Sequence, residues 1–432
     1  MNERQRHAML IKDAKYWGYV AILKEELVPA TGCTEPIALA YAAAKAREVL
    51  GVMPTHSQAE VSGNIIKNVK SVIVPNTGGL KGIGAAVSAG IVAGDPSRIL
   101  EVLSACREED KPLIKAYLDT HACHVLPYEG DLVFYIAVTV YAGDDNAKVV
   151  IENYHTNIVC IEKNEHTLFR AGTESNNLHM TDRSILNVKD IVAFADDVDI
   201  EDIADVIERQ IEYNSAIADE GLDGKWGASI GKILLNTYGL DIKVKARALA
   251  AAGSDARMGG CEKPVIILSG SGNQSLTASL PVIAYAKEYG VSRDRLIRAV
   301  ALADLITVHQ KTSIGRLSAF CGAVSAGSAA GAGIAYLLGG GYETVAHTVV
   351  NALAIISGMV CDGAKSSCAA KIASAVDAGI VGMSMYENGR EFVSGDGIIT
   401  KGVDNTIANV GRMASRGMRE TDKEIIRIMV EC

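Results

Sequence analysis

Three cysteines lie in segments rich in small residues and could act together as metal ligands. Cys361 and Cys368 lie in GMVCDGAKSSCAA, and Cys321 lies 40 residues earlier in AFCGAVSAGSAAGAG. Thiolates are soft ligands that select zinc or iron–sulfur clusters, but this spacing matches neither the close cysteine pairs of zinc sites nor the ferredoxin patterns. The hypothesis taken forward is a cluster held by three thiolates, with one iron open to substrate. Burial as small apolar side chains is the alternative.

The link between Cys361 and Cys368 must leave the helix for this hypothesis to hold. In one continuous helix the two residues would share a face but lie roughly 10.5 Å apart, at 1.5 Å per residue. Asp362, Gly363 and Ser366 are poor residues for a helix interior and favour a loop. The sequence therefore predicts that the chain wraps as a loop between the two cysteines.

A fourth cysteine, Cys33, stands in the turn-rich segment PATGCTEP, just ahead of an alanine-rich helix. Thr34, Glu35 and Pro36 are typical of a helix start, because proline suits the first turn. The free amides and the dipole at a helix N-terminus favour a thiolate. Cys33 is therefore predicted to be reactive, and a buried cysteine in a turn is the alternative.

A loop rich in Gly and Ser, SGSGNQSLT, follows the apolar run 264–268 and could bind an anion. Its glycines and serines expose backbone amides, and its Asn and Gln add neutral donors, a combination that suits a carboxylate or a phosphate. A flexible turn is the alternative. The candidate substrate-binding residues of this loop are Ser269, Gly270, Ser271, Gly272, Asn273 and Gln274.

Charged residues elsewhere carry weaker signals. Asp255 and Arg257 in SDARMGG, and Lys225 in GKWG, are more typical of structural ion pairs than of a binding site. His155 follows a predicted strand, where a histidine is more often a hydrogen-bonded structural group than a catalyst. The sequence by itself therefore assigns no chemical role to these side chains.

The composition indicates a packed protein with small-molecule partners. Of 432 residues, 49% are hydrophobic and only 5% aromatic, so Ala, Val, Ile and Leu must build the core. The net charge of −9 and the lack of a Lys/Arg run argue against nucleic acid or an anionic membrane as a partner. The charged N-terminus lacks the apolar core of a secretory signal, and nine cysteines are an odd number for a disulfide framework. A cytoplasmic protein is predicted.

The hydrophobic pattern predicts an α+β fold in three parts. Residues 1–56 form an N-terminal helical segment that carries the TGCTEP motif and joins the catalytic site. Residues 57–188 form a small α/β domain, and residues 189–432 form a mainly helical catalytic domain that binds the cluster. The charge-rich segment 189–208 is predicted to be one amphipathic helix at the boundary. The small-residue run 319–339 is predicted to be a buried helix that lets its neighbours approach closely.

Strands are predicted mainly in the α/β part. They begin with AEVSG and continue with SVIVP over 71–75, after which a glycine-rich turn leads into an apolar helix over 85–93. The segments 132–141 and 148–162 are predicted to be two strands joined by the turn AGDDN. A further strand is predicted near Leu168.

Five ordered motifs, PATGCTEP, SDARMGG, SGSGNQ, SAFCGAVSAG and GMVCDGAKSSC, are most informative together. They resemble the L-cysteine desulfidase branch of the iron–sulfur L-serine dehydratase alpha-chain family, over nearly the whole chain. By this resemblance, Cys321, Cys361 and Cys368 match the three cysteines that bind a four-iron cluster (4Fe–4S). Cys33 matches a cysteine proposed as a base or an additional ligand. The last residue, Cys432, is a further candidate ligand of the open iron, as in some serine dehydratases.

The resemblance implies β-elimination of L-cysteine to pyruvate, ammonia and sulfide, with the open iron as a Lewis acid. Cys33 would take the Cα proton, and the SGSGNQ loop would hold the substrate carboxylate. Lys67, Asn68 and His155 would reach the substrate across a cleft between domains. The expected partner is a small amino acid, L-cysteine or L-serine, with no nucleic acid and no membrane, and a homodimer is left open.

Three other functions are compatible with the sequence. The same fold and mechanism could act on L-serine, with hydroxide as the leaving group. A pyridoxal phosphate β-eliminase could use SGSGNQ as its phosphate site and Lys365 as its Schiff-base lysine. A non-enzymatic sensor of cysteine or oxygen could use the open iron only to bind. The gap between Cys361 and Cys368 is shorter than in typical bacterial serine dehydratases, which favours the desulfidase branch.

Overall fold

The computed structural model describes residues 3–172 and 180–431. Its first part mixes helices with the strands of one sheet. The elements of this part are α1 (Glu3–Glu26), β1 (Pro29–Thr31), α2 (Thr34–Leu50), β2 (His56–Val61), α3 (Gly63–Val69), α4 (Ile83–Ala93), α5 (Asp110–Thr120), β3 (Cys123–Pro127), β4 (Tyr135–Ala142), β5 (Asp145–Glu152), β6 (Ile158–Lys163) and β7 (His166–Arg170).

The second part is almost entirely helical, and this division confirms the predicted α+β fold with a small sheet domain and a mainly helical region after it. The elements of the second part are α6 (Val188–Asp197), α7 (Ile200–Asp223), α8 (Ile230–Tyr238), α9 (Ile242–Met258), β8 (Pro264–Ile266), α10 (Gly272–Tyr289), α11 (Arg293–Ile314), α12 (Gly322–Leu337), α13 (Tyr342–Ile356), α14 (Cys368–Glu387), α15 (Val403–Arg412) and α16 (Arg419–Glu431).

A six-stranded sheet in the order β3-β2-β4-β5-β6-β7 supports the helix that begins after Cys33. β2 pairs with β3 in parallel, and the other neighbours are antiparallel. Helix α2 packs on β4 and β5, and α4 packs on α2. Gly90 allows this last contact, because a Cβ there would lie 2.2 Å from the Ala40 carbonyl oxygen. The start of α2 is therefore held from both sides.

A two-stranded pairing joins the N-terminal segment to the helical part. β1 and β8 are antiparallel, with Pro29 opposite Ile266 and Thr31 opposite Pro264. Cys33 follows β1 by two residues, and the Gly- and Ser-rich loop follows β8. The pairing therefore brings these two motifs to the same place although more than 200 residues separate them.

Helix α12 forms the centre of the helical part and packs against α10, α11, α13 and α14. Its residues from Ala323 to Leu337 are buried, which confirms the prediction for this small-residue run. Gly327 and Gly379 let α12 and α14 touch, since a Cβ on Gly379 would lie 2.2 Å from the Gly327 carbonyl oxygen. By length and composition α14 could cross a membrane, but 56% of its apolar window is buried inside the protein.

The strand predicted over residues 71–75 was wrong. Only Ile73 makes a β-bridge there, to Lys81. The N–H of Val74 donates to the Leu80 carbonyl oxygen at 2.9 Å, which closes a loop instead of extending a ladder. The apolar run is buried as a loop that packs on its neighbours, a state that residue type alone does not distinguish from a strand.

Two further segments are divided where single elements were predicted. Residues 148–162 form parts of two strands, because Asn153 adopts a φ of 64° and turns the chain. Residues 189–208 form parts of two helices, because Asp199 accepts a hydrogen bond from the Glu201 N–H and caps a new helix. The strand predicted near Leu168 and the helix predicted over 85–93 are confirmed.

Substitution of Gly379 by alanine is expected to destabilise the protein, because the new methyl group would overlap the backbone of α12. Overpacking of this kind costs about 1–3 kcal/mol, more than the gain in helix propensity of about 1 kcal/mol. Gly358→Ala is the control, since nothing lies within 4 Å of its added Cβ and its φ lies outside the left-handed region. The melting temperature should fall for Gly379→Ala only, and equal melting temperatures would contradict the close contact.

Asp304, on α11, is fully buried and should make stability depend on pH. Its Oδ1 accepts a hydrogen bond from Gln210 Nε2 at 3.0 Å, and its Oδ2 has no partner among the described residues. Burial raises the pKa of Asp304 to about 8. The folded protein therefore holds a proton that the unfolded chain releases near its ordinary pKa of about 3.9.

A raised carboxyl pKa stabilises the fold at low pH, and that contribution is lost as the pH rises toward about 8. The slope is at most about 1.4 kcal/mol per pH unit for one proton. Asp304→Asn keeps the shape without the proton, so its melting temperature relative to wild type should rise between pH 5.5 and pH 7.5. A difference that stays constant over this range would show that Asp304 does not titrate there.

Candidate active site

A cavity of about 110 Å³, called the inner cavity below, lies where the N-termini of α2, α10, α12 and α14 meet. Helix N-termini present free amides and positive dipole ends, so their convergence favours anionic ligands. Lys67 and Gly272 do not line this cavity. The residues predicted from sequence that do line it are Cys33, Asn68, His155, Ser269, Gly270, Ser271, Asn273, Gln274, Cys321, Cys361 and Cys368.

Cys321 and Cys361 are held side by side by backbone hydrogen bonds. Phe320 and Val360 form an antiparallel bridge. The Cys361 N–H donates to the Ala319 carbonyl oxygen at 2.6 Å, and the Cys321 N–H donates to the Met359 carbonyl oxygen at 3.1 Å. Cys321 also occupies the N-cap position of α12. The bridge therefore brings the two cysteines together across 40 residues of sequence.

The third cysteine, Cys368, is the first residue of α14, and residues 361–367 lie outside the helix as predicted. Two lysines clamp this loop, since both Lys365 and Lys371 pair with Asp362. Gly363 has a φ of 91°, and a Cβ there would lie 2.2 Å from the Lys67 carbonyl oxygen. The loop is therefore fixed against α3. Because Cys361 and Cys368 do not share one continuous helix, they are not held two helical turns apart.

The donor set fits an iron–sulfur cluster better than a single ion. Among residues 3–172 and 180–431, no three Cys, His, Asp or Glu side chains are arranged to hold one metal ion. In a cluster each cysteine binds a different iron, so three thiols need only surround a common space. Burial, with Cys361 nearby, raises the pKa of Cys321 to about 12, and burial also raises that of Cys368. Bound iron would take the place of these protons.

Cys33 occupies the N-cap position of α2, but its surroundings differ from the predicted thiolate site. Its thiol is 2% exposed and donates to Glu35 Oε2 at 3.1 Å. Burial and the Glu35 charge raise the pKa of Cys33 well above its ordinary value, against the smaller lowering by Arg257. Cys33 is therefore a protonated thiol paired with a carboxylate, because burial outweighs the helix dipole.

Glu35 is the proton acceptor of this pair, a role that the sequence did not suggest. Its Oε1 accepts a hydrogen bond from Asn68 Nδ2 at 3.1 Å and lies 3.9 Å from His155 Nε2. Burial alone would raise the pKa of Glu35, but His155 and the Cys33 thiol lower it to about 2. The buried carboxylate is therefore ionised. The signal was present in TGCTEP, where Glu35 follows the cysteine by two residues.

The loop after β8 makes a tight turn into α10. Ser269 and Gly270 have φ values of 48° and 79°, and Leu268 and Ser271 exchange two backbone hydrogen bonds of 3.1 Å. Thr34 Oγ1 donates to the Gly270 carbonyl oxygen at 3.0 Å, which ties the turn to the start of α2. The turn aims the first amides of α10 at the inner cavity, next to the pair formed by Cys33 and Glu35.

The chain is similar to known proteins over most of its length. The family model described as serine dehydratase alpha chain matches residues 97–427, about three quarters of the chain. The chain belongs to the serine dehydratase alpha chain family. Membership implies a lyase of the serine dehydratase type, from a family that generally depends on an iron–sulfur cluster.

Curated relatives cover nearly the full length of this family member. A UPF0597 protein of Desulfitobacterium hafniense is 57% identical over 420 residues, which are 97% of this chain and 98% of the relative. A UPF0597 protein of Lachnoclostridium phytofermentans is 50% identical over 96% of this chain and 100% of its own. One of Finegoldia magna is 48% identical over 96% and 99%. These names specify no substrate.

A larger cleft of about 740 Å³, called the outer cleft below, adjoins the inner cavity in this family member. Both are lined by Ser269, Lys311, Arg316, Leu317 and Ser318. Burial lowers the pKa of Lys311 to about 8, although Cys361 and Cys321 oppose this shift. The junction between the two spaces therefore carries two basic side chains.

Lys67 lies outside the inner cavity and is already paired. Its Nζ is buried and donates to Asp422 Oδ1 on α16 at 2.6 Å, and Asp422 lines the outer cleft. Lys67 is thus placed to fasten α16 to α3. Cys432, the candidate ligand at the chain end, lies outside the described residues.

The position of Lys365 does not support the pyridoxal phosphate alternative. Lys365 Nζ pairs with Asp362 and donates to the carbonyl oxygens of Asp362 and Gly363 at 3.1 and 3.2 Å. It does not line the inner cavity. A Schiff-base lysine would have to reach the Ser269–Gln274 loop, and Lys365 instead clamps the cysteine loop.

Proposed function

We propose that the protein is an L-cysteine desulfidase that converts L-cysteine to pyruvate, ammonia and sulfide. One observation carries this proposal: three cysteine thiols, the Cys33–Glu35 pair and the N-terminus of α10 line one small cavity. Cys321, Cys361 and Cys368 would hold a 4Fe–4S cluster. When bound, the cluster supplies an open iron, a Lewis acid that favours departure of the β-sulfur.

Proton removal is assigned to the Cys33–Glu35 pair. Cys33 relays the proton of the substrate Cα to Glu35: as its sulfur takes the Cα proton, its own proton moves to Glu35 Oε2, to which it already donates at 3.1 Å. The C–H electrons form the Cα–Cβ double bond, and the Cβ–S bond breaks to release sulfide. The aminoacrylate product then tautomerises and hydrolyses in water to pyruvate and ammonia.

Substrate orientation is assigned to the loop that opens α10. The first amides of the helix and the side chains of Asn273 and Gln274 face the inner cavity, where a carboxylate would neutralise the dipole. Asn68 holds Glu35 through a hydrogen bond, His155 Nε2 lies 3.9 Å from the same carboxylate, and neither residue needs to touch the substrate. A carboxylate fixed at this end turns the Cα proton toward Cys33.

The position of the cavity supports a small amino acid as substrate. The outer cleft adjoins it and is assigned as the entry route, with Lys311 and Arg316 attracting the carboxylate of the substrate and of the pyruvate product. The short loop between Cys361 and Cys368 supports cysteine rather than serine, through the resemblance to desulfidases.

L-serine is the second candidate substrate, because the family is described as serine dehydratase alpha chain. The experiment that decides compares the two amino acids with anaerobically iron-reconstituted protein. Sulfide and pyruvate should form in equal amounts from L-cysteine, with a higher kcat/KM than pyruvate formation from L-serine. Pyruvate from L-serine alone would replace the desulfidase proposal by the dehydratase one.

A further inference from the structure

Arg257, near the C-terminal end of α9, is a buried cation that the proposed reaction has not yet used. Its side chain is 2% exposed and lines the inner cavity. The sequence suggested a structural ion pair for this residue, but it forms none within the described parts of the chain. Asp255, its neighbour in the motif, instead accepts backbone N–H groups of Ala228 and Gly231. A buried guanidinium without a counterion is costly, so its charge calls for an anionic ligand.

The hydrogen bonds of Arg257 leave one edge of the guanidinium free. Nη1 donates to Asn273 Oδ1 at 3.1 Å, which fixes the plane of the group. Nε and Nη2 are buried and have no partner among the described residues. These two nitrogens present parallel N–H bonds on the same edge, the fork that binds both oxygens of a carboxylate. The unused donors therefore have the geometry of a carboxylate site.

The start of α10 packs directly against the guanidinium of Arg257. A Cβ on Gly272, the first residue of α10, would lie 2.5 Å from Arg257 Nε. Only glycine lets the helix start approach the guanidinium so closely. The amides at the N-terminus of α10 and the unpaired Nε and Nη2 of Arg257 thus lie near the same part of the cavity, where their positive charges add.

We propose that Arg257 binds the α-carboxylate of the substrate through Nε and Nη2, with Asn273 as the residue that orients it. The ligand class is then an α-amino acid with a free carboxylate, and amides and decarboxylated amines are rejected. This inference rests on the proposed function for the identity of the reaction, but the binding site itself does not require it. The α10 amides complete the site.

The test uses full-length protein purified anaerobically and two non-reacting ligands, L-alanine and L-alaninamide, titrated by calorimetry. Wild type should bind L-alanine, and Arg257→Met should weaken that binding by about 100-fold or more, as expected for two charge-assisted hydrogen bonds. Arg257→Lys should recover part of the affinity without the bidentate fit. Preference for the carboxylate over the amide should fall in both variants.

Arg247→Met is the matched control, because Arg247 lies on the same helix and pairs with Asp377 away from the cavity. It should bind like wild type. Wild-type affinity for L-alanine and an undiminished carboxylate preference in folded Arg257→Met would overturn the assignment. Absence of sulfide release from L-cysteine would instead overturn the proposed function, and the two failures are distinguished because L-alanine has no leaving group.

Discussion

Cys361→Ala is expected to lose desulfidase activity by a factor of about 1,000 or more, together with most of the bound iron. Cys361 is one of three thiols that surround the inner cavity, and two cysteines do not hold a cluster that needs three. Loss of a ligand removes the Lewis acid from the site, a contribution of several kcal/mol to the transition state. Iron content and sulfide release are measured on the same reconstituted sample.

The matched control for this variant is Cys160→Ala. Cys160 is also a buried free cysteine, but it lies on β6 in the sheet and does not line the inner cavity. It should keep iron and activity near wild-type levels. Full iron content and full activity in Cys361→Ala would show that the three cysteines are ordinary core residues, the alternative that their sequence setting left open.

Glu35→Gln is expected to lower kcat by about 100- to 10,000-fold while leaving the iron content unchanged. The substitution keeps the size of the side chain but removes the carboxylate that accepts the Cys33 proton at 3.1 Å. Since Glu35 makes no hydrogen bond to Cys321, Cys361 or Cys368, cluster assembly should not depend on it. Steady-state kinetics with L-cysteine and an iron assay separate the two effects.

Glu48→Gln serves as the control, because Glu48 lies on the same helix and pairs with Lys45 at the surface. Its kcat should match wild type. If Glu35→Gln retains wild-type kcat, the Cys33–Glu35 pair is not the base, and the proton must leave by another group of the cavity. Loss of iron in Glu35→Gln would instead assign Glu35 a structural role.

The fold class and the buried small-residue helix could be predicted because both follow from local patterns. Apolar residues at helical spacing continue through most of the chain after residue 189, and the Gly/Ala run of α12 has too little Leu or Ile for a lipid-facing helix. The loop between Cys361 and Cys368 was predictable for the same reason, since Asp362 and Gly363 disfavour a helix.

The site was less predictable because it depends on contacts between distant segments. The strand β1 has three residues, too few for a periodic signal, yet its pairing with β8 brings Cys33 to the Ser269 loop. The thiolate expected at Cys33 followed from the helix dipole alone. Burial and the Glu35 carboxylate reverse that expectation, and the burial is not visible in the sequence.

The role of Arg257 also could not be predicted from the sequence alone. Its neighbour Asp255 suggested a local ion pair, but helix geometry directs Asp255 to the start of α8 and Arg257 to the cavity. Residue type predicted a charge, and only the fold shows that two of its donors remain free. The predictions of a cytoplasmic location and of a homodimer concern features outside one chain and stay predictions.

The most direct test of the central claim is Mössbauer spectroscopy of the anaerobically reconstituted protein with ⁵⁷Fe, before and after addition of L-cysteine. Three cysteine ligands to a 4Fe–4S cluster leave one iron without a protein thiolate. The spectrum should therefore show a cluster in which one iron responds to L-cysteine and the others do not. A protein that binds no cluster, or a cluster whose irons all ignore L-cysteine, would contradict the proposed site.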